Sequence, residues 1–489
     1  MAPDSPVRVA VDVGSSGCKM QYARRDGTTL QFDTAYRFGG ITTTSGDRMV
    51  WDIDNIVSEI VDGLRAIEAE TGRIDSLAID ATALGFGFVR DDHLLDDPYF
   101  YLDPSLYSME SEILERTSRR EVFRQTGHRS LPNAYYYLFH SEPELFDAAD
   151  SIVPVPQILS MELGAEQACE ETYAMTLYMF DARSRDWSDA LLDGLALPTE
   201  PLPEASPPGH HVGTVSAPHA DRLSSEPDIF LPPSHDTASA MAALPLLDEY
   251  RTFLATGSWF IPGLELGEPI VSDRAFEVGA SNELSVDGKI RFLRNMPGFS
   301  LLEHCRETWK EAGLRYEYED LLAAVEQTEP RGPLIDPFDD LFFQAQREGG
   351  VVSTVRRYAE KTGQTPPAGE GELTRCLLES LAARSATVIE ALDSAAPGRV
   401  RRVHLCGGGV RNEIFCQMVA SASGRPVKAG PVEATAIGNG LSQMVAAGEI
   451  PSYRRARELI DSTVDFDRYE PQDRDAWTDT VERMRQLSG

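Results

Sequence analysis

The sequence predicts an α/β protein built from two related domains, and three observations carry that expectation. Residues 8–23 read as strand, tight turn, strand: Val9, Val11 and Val13 alternate with smaller or polar residues, and Gly14 to Gly17 supply the turn. Residues 250–266 repeat that design around Gly257 and Ser258, which suggests a duplicated unit. Elsewhere, at 228–245 and 400–422, apolar strands run into small or glycine-rich turns and then into helices, as in open α/β sheets.

Taken in order, the first strand ends in Asp12 and the turn follows. Asp12 offers a carboxylate to Mg²⁺, and Gly14, Ser15, Ser16 and Gly17 offer hydroxyls and backbone N–H groups to phosphate; the alternative is a plain hairpin turn. The spacing is neither GxxxxGK[ST] nor GxGxxG. Residues 30–38 read as a strand, and 54–71 as an amphipathic helix with Ile56, Ile60, Leu64 and Ile67 on one face. Residues 76–82 read as a buried strand. Its Asp80, with the loop 81–87, is either a substrate contact beyond a strand end or a turn-forming carboxylate.

Between 98 and 190 short helical patterns carry many aromatics, assigned to core. The proline-rich stretch 198–218, with His210 and His211, reads as an irregular connection, and a short strand at 228–231 follows. Then His235-Asp236-Thr237 opens a helix whose Ala238, Met241 and Ala242 fall at helical spacing. Asp236 there either caps the first backbone N–H groups or accepts a proton from a ligand held against it.

Past the second strand–turn–strand unit come a strand, a turn at Pro297-Gly298 and a helix over 291–312, a helix from 320 and a loop at 335–340. A long helix over 373–392 has Leu377, Leu381, Ala382, Val388 and Leu392 on its apolar side. The strand 400–406 runs into Gly407-Gly408-Gly409 and a helix, an arrangement that lets backbone approach an anion or simply makes a tight turn. A last helix with small residues on one side starts within 427–439.

Composition narrows the class. No run approaches the ~18 apolar residues of a membrane span, and the N-terminus lacks the basic and apolar regions of a signal peptide, so a soluble cytoplasmic protein is expected. The six cysteines form no CxxC pair and read as reduced core residues. A formal charge of −33 argues against nucleic acid and anionic membranes as partners. Only five of the 45 basic residues are lysines (19, 289, 310, 361 and 428). Acidic surface with arginine in place of lysine suggests a halophilic cytoplasm; the alternative is an acidic mesophilic enzyme.

Seven segments in order, DVGSSGCK (12–19), HDTASAMAALP (235–245), ATGSWFIPGLEL (255–266), RNMPGFSLLE (294–303), IDPFDD (335–340), HLCGGGVRNEIF (404–415) and AGPVEATAIGN (429–439), together resemble the FGGY carbohydrate kinases in their rhamnulokinase-like branch. The resemblance implies two actin/Hsp70-like (ribonuclease H-like) domains with an intervening cleft, 1–245 mainly binding sugar and 246–489 mainly binding ATP. It implies ATP-dependent phosphorylation of a ketose, L-rhamnulose on O1, with L-fuculose, L-xylulose or a non-catalytic sugar- or nucleotide-binding relative as alternatives. Asp236 then matches the general base and Asp12 the Mg²⁺ ligand through water. Gly14, Ser15, Ser16, Lys19, Ser258, Glu303, Gly408 and Asn412 match ATP contacts, and Asp80, Ala83, His235, Thr237 and Asn295 match sugar contacts. The implied partner is a small-molecule sugar, the implied assembly a monomer or homodimer. The chain departs from the family in Thr82 for a tryptophan, Ala83 for a sugar-facing glycine and Glu303 for a glutamine near the nucleotide.

The charge yields a test by itself. Raising salt from 0.1 M to 1 M shortens the Debye length from roughly 10 Å to about 3 Å and relieves repulsion on the compact surface more than in the extended chain. Thermal melts in KCl should therefore show the midpoint rising by about 5 °C or more between 0.1 M and 2 M. A flat or falling midpoint removes the halophilic reading.

Overall fold

The computed structural model describes residues 5–248, 251–396 and 400–488, and Tyr250, at the head of the second strand–turn–strand unit, lies outside them. The chain divides into two compact units. One holds Met1–Leu247, Leu266–Phe292 and Glu433–Val464, the other Asp248–Glu265, Leu293–Val432 and Asp465–Gly489. The cut at 245/246 expected from the sequence follows chain order; the first unit draws on both sides of it, through Leu266–Phe292 and Glu433–Val464, whereas the second lies wholly beyond it.

The six-stranded sheet of the first unit is made of β1 (Arg8–Gly14), β2 (Gly17–Asp26), β3 (Thr29–Phe38), β4 (Ser76–Ala81), β5 (His211–Thr214) and β6 (Asp228–Phe230), side by side in the order β5-β6-β4-β1-β2-β3. β1 pairs antiparallel with β2 and parallel with β4, which puts Asp12 and Asp80 opposite each other in one register row, with Lys19 across from Asp12 on the other side. Val9, Val11 and Val13 are fully buried, as their alternation requires. The helix Ile53–Thr71 begins at Asp52, whose carboxylate accepts from Asn55 N at 3.2 Å, and stops at Gly72 in the left-handed conformation. Its Ile56, Ile60, Leu64 and Ile67 are buried against the sheet strands. Many aromatics between 86 and 197 form a separate core around Phe86, Phe88, Tyr135 and Tyr136, while Phe100 and Tyr173 join the core of the sheet.

One expectation fails here. His211–Thr214 is not irregular but an edge strand, pairing antiparallel with Asp228–Phe230 through a bulge between His211 and Gly213. Four residues interrupted by a bulge and preceded by prolines leave too short an alternation to register as a strand.

The second unit repeats the pairing logic. Its strands β7 (Thr252–Thr256), β8 (Trp259–Leu266), β9 (Met296–Pro297), β10 (Val403–Gly407), β11 (Val427–Ala429) and β12 (Asp467–Tyr469) join as an antiparallel hairpin, two parallel pairings from β7 to β10 to β11, and an antiparallel edge, with β9 against β8. The first unit has the same succession from β2 through β1, β4 and β6 to β5. The duplication suggested by two glycine turns thus extends to the strand pairing. The long helix Glu370–Ala395 covers this sheet together with Glu413–Ser423, its buried side including Leu377, Leu381, Ala382, Val388 and Leu392. All six cysteines are buried and unpaired. Among the described residues no helix is long and apolar enough to cross a membrane.

The first unit closes on a helix from far along the chain. Ala434–Ala446 packs across Asp236–Ala242, and a Cβ on Gly438 would stand 1.8 Å from the Ser239 carbonyl oxygen. Only glycine admits that approach. Gly438→Ala should cost about 2–3 kcal/mol in urea unfolding, in the range of overpacking a core. Gly194→Ala, on the exposed face of the helix Asp189–Leu195 with nothing within 4 Å of the new methyl, should be neutral or stabilising by up to about 1 kcal/mol.

Candidate active site

The candidate residues fall into two groups, one within each unit. In the first, three carboxylates gather where β1, β4 and β6 end, the side of a parallel sheet where ligands collect. Asp12 and Asp80 are register partners, and Asp236 opens the helix after β6. The chain is tied there by Ala81 N donating to Ser234 O at 2.9 Å. Ser234 is held in turn by the buried Glu170, whose Oε2 accepts from Ser234 N at 2.9 Å and Thr172 Oγ1 at 2.6 Å, and by Gln157 Nε2 at 2.8 Å from Ser234 Oγ. Burial pushes the Glu170 carboxyl up to about 8, against the hydrogen bonds it receives.

Burial, and then the nearby charge of Asp236, push Asp12 up to about 7, although Lys19 pulls it down. Asp80 is raised well above the usual carboxylate range by burial and by Asp12. Its Oδ2 accepts from Asn439 Nδ2 at 2.6 Å, while its buried Oδ1 has no hydrogen-bond partner among the described residues. Asn439 is itself held by Gln443 Nε2 at 2.9 Å, and Gln443 also donates to Val9 O. Lys19 Nζ lies 2.8 Å from Glu433 Oε2. Gly14, Ser15 and Ser16 form the β1–β2 turn, Ser16 exposed, and burial pushes the nearby Tyr101 hydroxyl up to about 12.

Asp236 is the first residue of its helix, with a side chain 29% exposed. Thr237 N and, at 2.9 Å, Thr237 Oγ1 both donate to its Oδ1, and His235 Nε2 approaches the same oxygen at 3.3 Å. Oδ2 is therefore the oxygen left to accept a proton. One oxygen engages Thr237 N and Oγ1 at the start of the helix, whose N-cap position is His235. His235 is buried and its pKa is lowered by burial and by Arg291. Ala83 lies half-buried in the loop after β4, where Tyr173 OH donates to Thr82 O at 2.8 Å and accepts from Gly85 N at 3.0 Å.

In the second unit Ser258 sits in the β7–β8 turn, its carbonyl accepting from Gly298 N at 2.9 Å and Ser300 N at 3.2 Å. Thr256 Oγ1 donates to Cys406 O at 2.6 Å and accepts from Gly409 N at 3.1 Å, pinning the three-glycine turn against β7. A Cβ on Gly407 (φ +85°) would meet Thr256 O at 2.3 Å and one on Gly409 would meet Thr256 Oγ1 at 2.6 Å, whereas Gly408 faces open space. The flanking glycines are needed for the fold, and the middle one leaves backbone free for a ligand. Asn412 is buried and caps the helix Glu413–Ser423 through Phe415 N at 2.9 Å. Glu303 forms a half-exposed pair with Arg306, and Asn295 is exposed in the loop before β9.

Sequence reasoning missed Glu170, Glu283, Arg291, Glu433 and Asn439. The first three sit in stretches with no motif signal. Glu433 and Asn439 stand inside a matched motif but have partners hundreds of residues away.

The family model for the FGGY family of carbohydrate kinases, N-terminal domain, matches residues 7–242, and that for its C-terminal domain matches 253–447. The chain is 32% identical over 475 residues to a rhamnulokinase of Bacteroides thetaiotaomicron, covering 96% of each, and 26% identical to a rhamnulokinase of Bacillus subtilis, covering 96% of this chain and 97% of that one. Its fold matches a crystal structure of gluconate kinase from Lactobacillus acidophilus (TM-score 0.78, 15% identity, 99% and 98% of the two chains) and that of Plasmodium falciparum glycerol kinase with ADP (TM-score 0.76, 13% identity, 99% and 98%).

The raised Asp12 makes stability depend on pH in a defined direction. Between about 4 and about 7 the native state keeps a proton that the unfolded chain has lost, so stability falls as pH rises through that window. Asp12→Asn removes the burden. In EDTA the variant should be more stable than the parent by about 2 kcal/mol at pH 8, roughly half of what three pKa units represent because Asp12 keeps some solvent contact. The difference should vanish towards pH 4. A variant less stable than its parent at pH 8 would contradict the electrostatic account.

Proposed function

Because the chain belongs to the FGGY family of carbohydrate kinases, and is thus an ATP-dependent sugar kinase, we propose that it transfers the γ-phosphoryl group of ATP to O1 of L-rhamnulose. The observation that carries the mechanism is the geometry of Asp236: a carboxylate fixed at a helix start, one oxygen engaged by Thr237 and the other free. Asp236 Oδ2 takes the sugar hydroxyl proton as the new O–P bond forms and the bond from the γ-phosphorus to the β–γ bridging oxygen breaks, releasing ADP. Phosphoryl transfer through a loose transition state asks the protein mainly for positioning and charge, and a carboxylate suffices as the late proton acceptor.

The residues fit a divalent cation. Mg²⁺ keeps several waters and takes one or two carboxylates plus phosphate oxygens. Asp12 is such a carboxylate, Asp80 contributes an unpartnered buried oxygen beside it, and no cluster of three or more metal-ligating side chains occurs among the described residues. Asp12 would hold the ion through water, and the bound ion would neutralise phosphate charge. Gly14, Ser15 and Ser16 offer N–H and hydroxyl donors to phosphate, with Lys19 kept in place by Glu433. In the second unit Gly408 offers open backbone, and Ser258, Glu303 and Asn412 are assigned to the nucleotide. Asp80, Ala83, His235, Thr237 and Asn295 are assigned to the sugar.

Two observations support the choice of sugar. The relatives named rhamnulokinase align over nearly the whole chain. A cavity of about 20 Å³ beside the 82–85 loop, walled mainly by Leu84, Phe86, Leu106, Leu131 and Leu177, has room for a water-sized apolar group such as a methyl. That favours a 6-deoxyketose, L-rhamnulose or L-fuculose, over L-xylulose. The acid-rich composition supports the reading of a saline cytoplasm, so the assay belongs at both low and molar KCl.

A coupled ADP-release assay over the three ketoses should give the highest kcat/KM for L-rhamnulose, with L-xylulose about tenfold or more below the deoxyketoses, the worth of one well-packed methyl. Asp236→Asn should lower kcat by about 10²–10⁴ with sugar binding retained. Turnover near normal in that variant would remove Asp236 from the mechanism, and ADP release with none of the sugars would point to the non-catalytic alternative.

A further inference from the structure

Behind Asp236 lies a buried polar chain that the phosphoryl-transfer reading does not use. Arg291, in the strand Ile290–Leu293, is fully buried. Its Nε donates to Leu284 O at 3.0 Å, and one terminal nitrogen lies 3.0 Å from His235 Nδ1 and 3.1 Å from Glu283 Oε2. Against the upward push of burial, Arg291 beside it holds the Glu283 carboxyl at about 2, so Glu283 is charged. The other carboxylate oxygen of Glu283 is 3.3 Å from His128 Nε2, and His128 Nδ1 accepts from Ser130 N at 3.0 Å.

We infer that Arg291 and Glu283 are positioning residues that fix the imidazole of His235 in its Nε2–H tautomer, with that N–H turned toward Asp236. The inference rests on the proposed role of Asp236. A guanidinium has donors and no acceptor, so the His235 nitrogen facing Arg291 must carry a lone pair. The proton of the neutral ring is then on Nε2, the nitrogen 3.3 Å from Asp236 Oδ1. Glu283 keeps Arg291 in place and is held from its other side by His128. That ring also has its lone pair committed, to Ser130 N, and so presents Nε2–H to the carboxylate.

The arrangement excludes a harmful alternative. Glu283 Oε2 is 3.7 Å from His235 Nδ1, close enough to attract a proton there if Arg291 were absent. That tautomer would aim the Nε2 lone pair at the Asp236 carboxylate, lone pair against anion, and push the base away from its place. With Arg291 present the imidazole instead supplies a positive edge to Oδ1, and Oδ2 stays the acceptor for the sugar proton.

The test reads the tautomer directly. Long-range ¹H–¹⁵N correlation on histidine-labelled wild-type protein, with His235 assigned by its loss in His235→Gln, should show a neutral ring protonated on Nε2. An Nδ1-protonated ring or an imidazolium at pH 7.5 overturns the inference. This readout is independent of activity, so it stands even if none of the ketoses is the substrate. The paired variant Arg291→Met with Glu283→Gln leaves no lone buried charge. It should lower kcat by about 10- to 100-fold, move KM for the sugar less than about threefold and show mixed His235 tautomers, whereas Arg291→Lys, which keeps a donor, should fall closer to wild type. Wild-type kcat in the paired variant, or a rise in KM alone, overturns the positioning role. If the pair fails to fold, the wild-type spectrum decides.

Discussion

Asp12 and Asp80 stand side by side on two parallel strands, and the first unit is built around the repulsion between them. Burial raises the pKa of both, Asp12 raises that of Asp80, and Asp236 adds to each. The fold answers with a single buried amide. Asn439 donates to Asp80 and to Ala78 O, and it reaches them because its helix lies directly on Asp236–Ala242 with Gly438 at the crossing. A side chain at 438 would lift the helix, withdraw Asn439 and leave Asp80 with neither oxygen satisfied. The motif AGPVEATAIGN is thus a packing device for an acidic pair, with Glu433 at its start engaging Lys19.

That acidic pair also explains why the base lies where it does. Asp236 enters the same field from the end of β6, and its charge is one cause of the raised Asp12. A site that stores repulsion between carboxylates is poised to bind a cation and to take up a proton, and both suit transfer of a polyanionic phosphoryl group. Around it the protein places groups whose roles are fixed by what they can donate: Thr237 on one oxygen of Asp236, His235 beside it, and Arg291 behind His235. Rigid support of this kind comes from strands and helix starts rather than free loops.

The second unit uses the same strand order with different chemistry at the turn. Where the first has an aspartate and serines, the second has Thr256 stitching the three-glycine turn to β7. Gly407 and Gly409 are fixed by contact with Thr256, and Gly408 alone faces open space. Duplicated architecture has thus been given one carboxylate-lined and one backbone-lined strand end.

By itself the sequence determined whatever depends on neighbours along the chain. The strand–turn–strand units, the helix from 53 to 71, the helix opened by His235-Asp236-Thr237 and the glycine turn at 407–409 all follow from local periodicity and turn chemistry. Their succession sufficed to indicate the family and the fold class. The short edge strand His211–Thr214 escaped because a bulge breaks its alternation. Only tertiary structure decided the electrostatics: Asn439 meets Asp80 across 359 residues, Glu283 meets His128 across 155, and Arg291 meets His235 across 56. No local pattern encodes such partners, since hydrogen-bond geometry and burial arise only when the sheet and its covering helices are packed together.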